Sequence, residues 1–259
     1  MILDTIATST QKRVAAAKEK IPFSEMRAQA EALPVSPDFR FEQALKADGF
    51  SFVCEVKKAS PSKGLIAKEF PYVDIAKEYE QAGAAAISVL TEPEFFLGSN
   101  DYLKEIRAAV SLPLLRKDFT IDPYQIYEAK VIGGDCVLLI CALLDTETLK
   151  EYLAIAHSLG LSALVETHNT SEIKSALAAG ARFIGINNRD LKTFHVDVNA
   201  AVNLRCLVPP EVLLIAESGI QTASDIAALR QADISAALIG ETLMRAADKK
   251  AMIRQLLGG

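Results

Sequence analysis

The sequence predicts an α/β fold of the (β/α)8 TIM-barrel class with an additional N-terminal helical segment. Three observations carry this expectation. Eight short apolar runs begin near Phe52, Ala86, Pro113, Cys136, Ser162, Arg182, Val212 and Ala236, with helical patterns between them. The runs are apolar almost throughout, as expected of a parallel sheet covered on both faces. Eight is the number of strand–helix units that closes a barrel, and 259 residues suit one such domain. A doubly wound sheet is the alternative. It has fewer strands and a Gly-rich first βα turn, and no G-x-G-x-x-G occurs in this chain. The whole of residues 1–259 is therefore expected to be one barrel domain, with 1–48 as the extension and 49–259 as the barrel.

In order along the chain, Leu3, Ile6, Ala7, Val14 and Ala17 form an apolar helical stripe, and Lys12, Arg13, Lys18 and Lys20 lie mostly off it. Pro22, Pro34 and Pro37 break this segment into pieces that can cover one end of the barrel. Tyr72, Ile75, Ala76 and Tyr79 repeat at helical spacing, as do Leu149, Tyr152, Leu153 and Ala156. Asp122 before Pro123 marks a helix start, Asp145 and Thr170 are N-cap candidates, and Thr222 with Asp225 resembles a capping box. Gly133, Gly160 and Gly180 sit where helix stops are expected. Ile253, Leu256 and Leu257 belong to a last helix.

Composition narrows the function classes. The chain is 50% hydrophobic and 24% charged with net charge −5, which disfavours a broad nucleic-acid face and leaves room for a local cationic pocket. The four cysteines, Cys54, Cys136, Cys141 and Cys206, form no C-x-x-C pair and read as reduced core residues of a cytoplasmic protein. The three histidines, His157, His168 and His195, show no metal-ligand spacing, so no metal site is expected. Neither a signal peptide nor a membrane span is expected.

Chemistry in a barrel collects at the carboxyl ends of its strands. Polar groups cluster there in this sequence. The first strand ends on Glu55 and Lys57, two apart and so on one side. The second ends in Thr91-Glu92, followed by Phe95-Phe96, and the third in Arg116-Lys117-Asp118-Phe119. The fifth ends on Glu166, the sixth on Asn187-Asn188-Arg189-Asp190, the seventh on Glu217-Ser218-Gly219 and the eighth on Gly240-Glu241. One acid–base pair at a strand end is commonly a structural ion pair. Many strand ends converging on one rim point to an active site.

Two sub-sites separate within this set. Ser218-Gly219 and Gly240 offer free backbone N–H groups after strands seven and eight, with Glu241–Arg245 reading as a short extra helix; barrels often bind phosphate there. Lys57, Lys117 and Glu166 lie on odd strands and can converge over the mouth. A lysine among carboxylates can act as an acid or anchor a carboxylate, and a buried glutamate can take a proton. A Schiff-base aldolase lysine is the rival reading. Phe96 and Phe119 could stack on an aromatic substrate or simply pack.

Taken together, Glu55-Val-Lys57-Lys-Ala-Ser60-Pro-Ser62, Ser88-Val-Leu-Thr-Glu92, Leu115-Arg-Lys117-Asp118-Phe119, Leu164-Val-Glu166, Gly185-Ile-Asn187-Asn-Arg189-Asp190-Leu191, Ala216-Glu217-Ser218-Gly219 and Ile239-Gly240-Glu241 resemble the indole-3-glycerol phosphate synthase family, in family order across nearly the whole chain. The resemblance implies a carbon–carbon lyase of tryptophan biosynthesis, in its monofunctional form. Its substrate would be 1-(2-carboxyphenylamino)-1-deoxyribulose 5-phosphate, cyclised to indole-3-glycerol phosphate with loss of CO2 and water. By that resemblance Lys117 is the general acid, Glu166 the proton acceptor of the dehydration, and Lys57 a carboxylate anchor or second acid. Glu55, Asn187, Arg189 and Glu217 would position substrate and lysines. Ser60, Ser218, Gly219, Gly240 and the Glu241 N–H would hold phosphate. The helical extension would lie over the mouth. No cofactor is implied, because decarboxylation here restores aromaticity and needs no electron sink. The implied partner is a small phosphorylated molecule, with no nucleic acid or membrane, and a monomer is allowed.

Two loop residues depart from the pattern: His195 stands where an acidic residue is expected, and Leu97 where Gly or a polar residue is common. The rivals are a phosphoribosylanthranilate isomerase-like barrel, a Schiff-base aldolase barrel, and a catalytically silent phosphate-binding scaffold. Neither enzyme rival accounts for Lys57, Lys117 and Glu166 in their motif context, and a silent scaffold would normally have lost Lys117 or Glu166, both present here. The chain is too short for the second barrel found in fused relatives.

Overall fold

The chain is described by a computed structural model covering residues 2–47 and 49–259; the boundary expected at residue 48 lies outside these ranges. Three helices come first: α1 (Ile2–Lys20), α2 (Phe23–Glu31) and α3 (Arg40–Leu45). Then eight parallel strands close a barrel: β1 (Ser51–Val56), β2 (Ala86–Leu90), β3 (Leu114–Lys117), β4 (Cys136–Ile140), β5 (Ser162–Thr167), β6 (Phe183–Asn187), β7 (Leu213–Glu217) and β8 (Ala236–Ile239). Each strand pairs with the next, and β8 returns to β1 with Ile239 opposite Cys54. Between the strands run α4 (Tyr72–Gln81), α5 (Asn100–Ala109), α6 (Pro123–Val131), α7 (Thr146–Ser158), α8 (Thr170–Ala178), α9 (Ala200–Leu204) and α10 (Ala223–Gln231). The short α11 (Glu241–Arg245) and α12 (Lys249–Leu257) come after β8.

Local chemistry sets the helix limits. The Asp122 carboxylate accepts from Tyr124 N–H with Pro123 at the first helical position, and Asp145 accepts from Thr148 N–H. Thr222 and Asp225 cap one another's backbone N–H groups in a complete capping box. The expected cap at Thr170 is corrected by one residue. Asn169 is the cap, because its extended backbone lets Oδ1 reach the N–H groups of both Ser171 and Glu172. Gly133, Gly160 and Gly180 come after their helices in the left-handed region, which a side chain disfavours. In α12, Ile253 and Leu256 are buried, whereas Leu257 faces solvent. Of the cysteines expected in the core, Cys54 and Cys136 are buried and Cys141 is half-buried, but Cys206 is exposed in the short turn after α9.

Alternation along the strands places both the core and the site. Inward-facing Val53, Leu115, Leu164 and Ile215 join one buried cluster inside the barrel. Two residues further on, the same inward rows carry Glu55, Lys117, Glu166 and Glu217. Outward-facing Cys54, Val56, Val137, Leu139 and Val165 join the larger cluster beneath the helices. The charged mouth is therefore the next layer above an apolar plug, and that plug keeps water from reaching it from below.

The N-terminal segment reaches both ends of the barrel, more than the cover over one end read from sequence. Ile2, Leu3 and Ile6 of α1 border the mouth. The α2 helix packs on α6, with the Phe23 ring edge-on to Tyr127 at 5.6 Å. The α3 helix closes the far end, where Phe41 and Leu45 are buried with Val53, Leu115 and Phe183. Glu42 anchors it through Arg182 at 3.1 Å.

Candidate active site

A cavity of about 590 Å³ opens over the carboxyl ends of the strands. The residues expected at the site all line it, together with the start of α1. They divide into a charged centre, an aromatic side and a backbone-rich corner.

Lys117 occupies the centre. Its ammonium lies 3.1 Å from Glu166 Oε2 and 3.6 Å from Glu217 Oε2. Burial opposes the lysine's charge, but Glu166, Glu217 and Glu55 outweigh it and hold the amine above its usual range. Burial likewise opposes ionisation of Glu166, yet Lys117, His168 and Asn187 together hold this carboxyl below the usual carboxylate range. Glu217 goes the other way, to about 7: burial leads, Lys117 offsets part of it, and the like charges of Glu166 and Glu55 add to it. Two carboxylates beside one lysine are thus pushed apart, one kept ionised and the other sharing a proton only as pH falls toward 7. An amine kept as ammonium by three carboxylates is a poor imine nucleophile, which disfavours the Schiff-base reading.

Lys57 stands apart from that trio. Its Nζ lies 2.5 Å from Glu55 Oε2, so the first strand contributes a closed ion pair. Gly240 makes room for this pair. A Cβ there would come within 2.3 Å of Glu55 Oε2 and 2.9 Å of Lys57 Nζ. Gly185 does the same for Glu217, whose Oε1 would lie 2.2 Å from a side chain at that position. At both positions, one just after β8 and one within β6, a side chain would push aside the charged end of a site residue, with no positive φ involved.

Phe96 and Phe119 face each other on the aromatic side, ring centroids 5.9 Å apart. The Glu92 carboxylate holds the Phe96 loop by accepting from the N–H groups of Glu94, Phe95 and Phe96 at 2.7–3.0 Å. The Asp118 carboxylate holds Phe119 by accepting from its N–H at 2.8 Å. Asp118 also accepts from Thr91 at 2.8 Å and pairs with Arg13 of α1. Leu97 has a left-handed φ of 54°, which explains why Gly suits that position.

In the third corner Ser218 and Gly219 are both left-handed, with φ of 67° and 80°. A Cβ on Gly219 would meet Val196 Cγ1 at 2.4 Å, so glycine is required on two counts. The loop is secured by Asn188, whose Nδ2 donates to Ser218 O at 3.0 Å, and by Thr242, whose hydroxyl donates to Ile220 O at 2.9 Å. Arg189 is tied to its own loop through Phe194 O at 3.2 Å. Ser60 is buried and lines the same cavity, in a two-residue strand that pairs with Gly64–Leu65.

Sequence reading missed three contributors. His168 touches Glu166 at 3.3 Å. Its place two residues beyond a strand-end glutamate was a usable signal. Gly185 could have been suspected as a glycine inside an apolar strand. Arg13 gave no local sign, because its partner lies 105 positions away.

Comparison with known proteins identifies the family. The family profile described as indole-3-glycerol phosphate synthase matches residues 3–256. A protein of that name from Ruminiclostridium cellulolyticum is 60% identical over 258 residues, covering 100% of this chain and 99% of the relative. One from Lachnoclostridium phytofermentans is 50% identical, with 99% and 98% covered. One from Carboxydothermus hydrogenoformans is 48% identical, with 99% and 100% covered. Among solved structures, 3-hexulose-6-phosphate synthase from Salmonella typhimurium superposes with a TM-score of 0.65 at 12% identity, over 80% of this chain and 96% of that one. Thiamine phosphate pyrophosphorylase from Pyrococcus furiosus gives 0.62 at 14%, over 81% and 94%. At such low identity these two speak for the barrel alone. Among the described residues no helix is long and apolar enough to cross a membrane. The match along its full length, at half or more of its positions in two relatives, means that this chain belongs to the indole-3-glycerol phosphate synthase family.

Proposed function

We propose that the barrel mouth performs its family's ring closure with Lys117 as the acid and Glu166 as the proton acceptor. The substrate is 1-(2-carboxyphenylamino)-1-deoxyribulose 5-phosphate. Its ring carbon bearing the carboxylate attacks the ribulosyl carbonyl carbon, and the new C–C bond forms as Lys117 protonates the carbonyl oxygen. The carboxylate leaves as CO2, and its bonding electrons restore the aromatic ring. With the carboxylate gone, Lys57 as second acid gives the proton on which the resulting hydroxyl departs as water, while the neighbouring ribulosyl carbon loses its proton to Glu166, which gives indole-3-glycerol phosphate.

The remaining residues bind and orient. Lys57 anchors the substrate carboxylate from its pair with Glu55. Asn187, Arg189 and Glu217 hold the ribulosyl chain and Lys117 in register. Phe96 and Phe119 flank the aromatic ring. Ser60, the Ser218-Gly219 turn, Gly240 and the Glu241 N–H receive the phosphate. On this reading the enzyme works in the cytoplasm, where free Cys54, Cys136, Cys141 and Cys206 are at ease.

The observation that carries the proposal is the Lys117 ammonium held between Glu166 and Glu217 at 3.1 and 3.6 Å on the cavity wall. The test monitors indole fluorescence on adding the anilino-ribulose phosphate. Wild-type protein should form the indole, and Lys117→Ala should lose on the order of 10²–10⁴ in kcat while still binding product. A near-normal kcat in that variant would remove Lys117 from the acid role.

A further inference from the structure

His168 comes directly after β5 and stands two residues beyond Glu166, so both point to the same side. Its imidazole has a carboxylate beside each nitrogen, hydrogen-bonded at Nδ1 and within ion-pair range at Nε2. Nε2 lies 3.3 Å from Glu166 Oε1, and Nδ1 lies 3.0 Å from Glu172 Oε2 in the first turn of α8. Glu172 is itself fixed: Oε2 accepts the His168 backbone N–H at 2.8 Å and Oε1 accepts from Asn169 Nδ2 at 2.7 Å. The two oxygens of Glu166 are therefore divided, with Oε2 on Lys117 and Oε1 on His168.

The ring's neighbours decide its charge. Carboxylates stand beside both nitrogens, at 3.3 and 3.0 Å, and two such charges favour the cation. Burial opposes that charge, but Glu166 and Glu172 prevail and raise the ring to about 10. Around Glu166 the second cation is Lys117 on β3, and Asn187 on β6 is an uncharged donor. Glu217 on β7 and Glu55 on β1 act on the same cluster through Lys117. Cys141, after β4, has a thiol pushed up to about 12 by burial and by Glu172 and Glu166, so it stays neutral.

We propose that His168 is a positioning residue for the ring closure: as an imidazolium clamped between Glu166 and Glu172, it keeps the Glu166 carboxylate ionised and turned toward Lys117 and the substrate. The inference rests on Glu166 being the proton acceptor. An opposite charge at this range favours the ionised carboxylate, so losing it makes Glu166 easier to protonate. Activity on the acid side should then fail at higher pH.

The test compares kcat and KM against pH, with melting temperature, for His168→Gln, His168→Asn, Glu172→Gln and Glu166→Gln. His168→Gln and His168→Asn should move the acid limb of the kcat profile up by on the order of one pH unit, with KM moving less than kcat. Glu172→Gln, which leaves the ring in place but weakens its charge, should move the limb the same way by less. It also serves if the His168 variants do not fold. Profiles that superimpose on wild type would overturn the proposal, including the case of a lowered melting temperature with an unmoved limb, which would mean packing alone. Near-normal turnover in Glu166→Gln would instead remove the Glu166 assignment. An inactive Glu166→Gln with unmoved His168 profiles would remove only the role given to His168.

Discussion

Arg13 of the N-terminal helix and Asp118 at the end of β3 are joined by two parallel hydrogen bonds of 2.9 and 2.6 Å. Asp118 is buried and lies between Lys117 and Phe119, so the extension is fastened to the strand that carries the central lysine. Arg116 stands 3.4 Å from the same carboxylate and holds Glu128 of α6 at 2.5 Å. Arg13→Met should leave Asp118 with that one cation and cost on the order of 1–2 kcal/mol of stability. KM should rise as Phe119 loosens. Denaturant melts and steady-state kinetics check both, and an unchanged KM would mean that the fastening is structural only.

The charged state of Lys117 has a covalent consequence. Held as an ammonium by Glu166, Glu217 and Glu55, it should form no imine with the substrate carbonyl. Borohydride added with substrate should give no mass increase on Lys117 or Lys57. A stable adduct on either lysine would replace acid catalysis with a Schiff-base mechanism.

The backbone corner should recognise phosphate. Substrate lacking the phosphate should bind more weakly by roughly tenfold or more for each charge-assisted hydrogen bond lost. Gly219→Ala should show the same defect with intact substrate, because the new methyl meets Val196 at a backbone angle that alanine disfavours. Equal KM values for the two substrates would move the phosphate elsewhere.

The two ends of the extension should separate in experiment. Truncation before Phe41 removes α1 and α2 but spares the α3 plug, so it should raise KM and lower kcat more than it disturbs the barrel's circular dichroism. Phe41→Ala opens a fully buried site and should cost about 3–5 kcal/mol, with far less effect on KM. If the truncated protein keeps full activity and only melts lower, α1 is packing and no part of the site.

Glu217 predicts a pH dependence of stability. Its carboxyl is raised to about 7 from a reference of 4.5, so the folded protein binds a proton that the unfolded chain releases earlier. This contribution is fully present below 4.5 and is lost as pH rises through 7. Glu217→Gln, which mimics the protonated form, should flatten that decline. A series of melting temperatures across this range checks it, and parallel curves for the two proteins would contradict the assignment.

The eight strands and their polar ends were legible in the sequence because alternation and capping are local: Leu164 then Glu166, or Asp122 then Pro123, need only near neighbours. Strand order fixed which ends could share a rim, and the odd-strand placement of Lys57, Lys117 and Glu166 came with it. Tertiary structure decided the rest. Lys57 pairs with Glu55 while Lys117 joins Glu166 and Glu217, a division set by where closure brings each strand end. Glu166 and Glu217 carry the same chemical group yet are driven in opposite directions: burial opposes both charges, but Lys117, His168 and Asn187 overcome it at the first, while at the second burial prevails and like charges add to it. The helical extension likewise announced an apolar stripe but not its destination. Arg13 and Asp118 meet only after the chain has wound through the first strands, and no spacing rule reaches across such a separation.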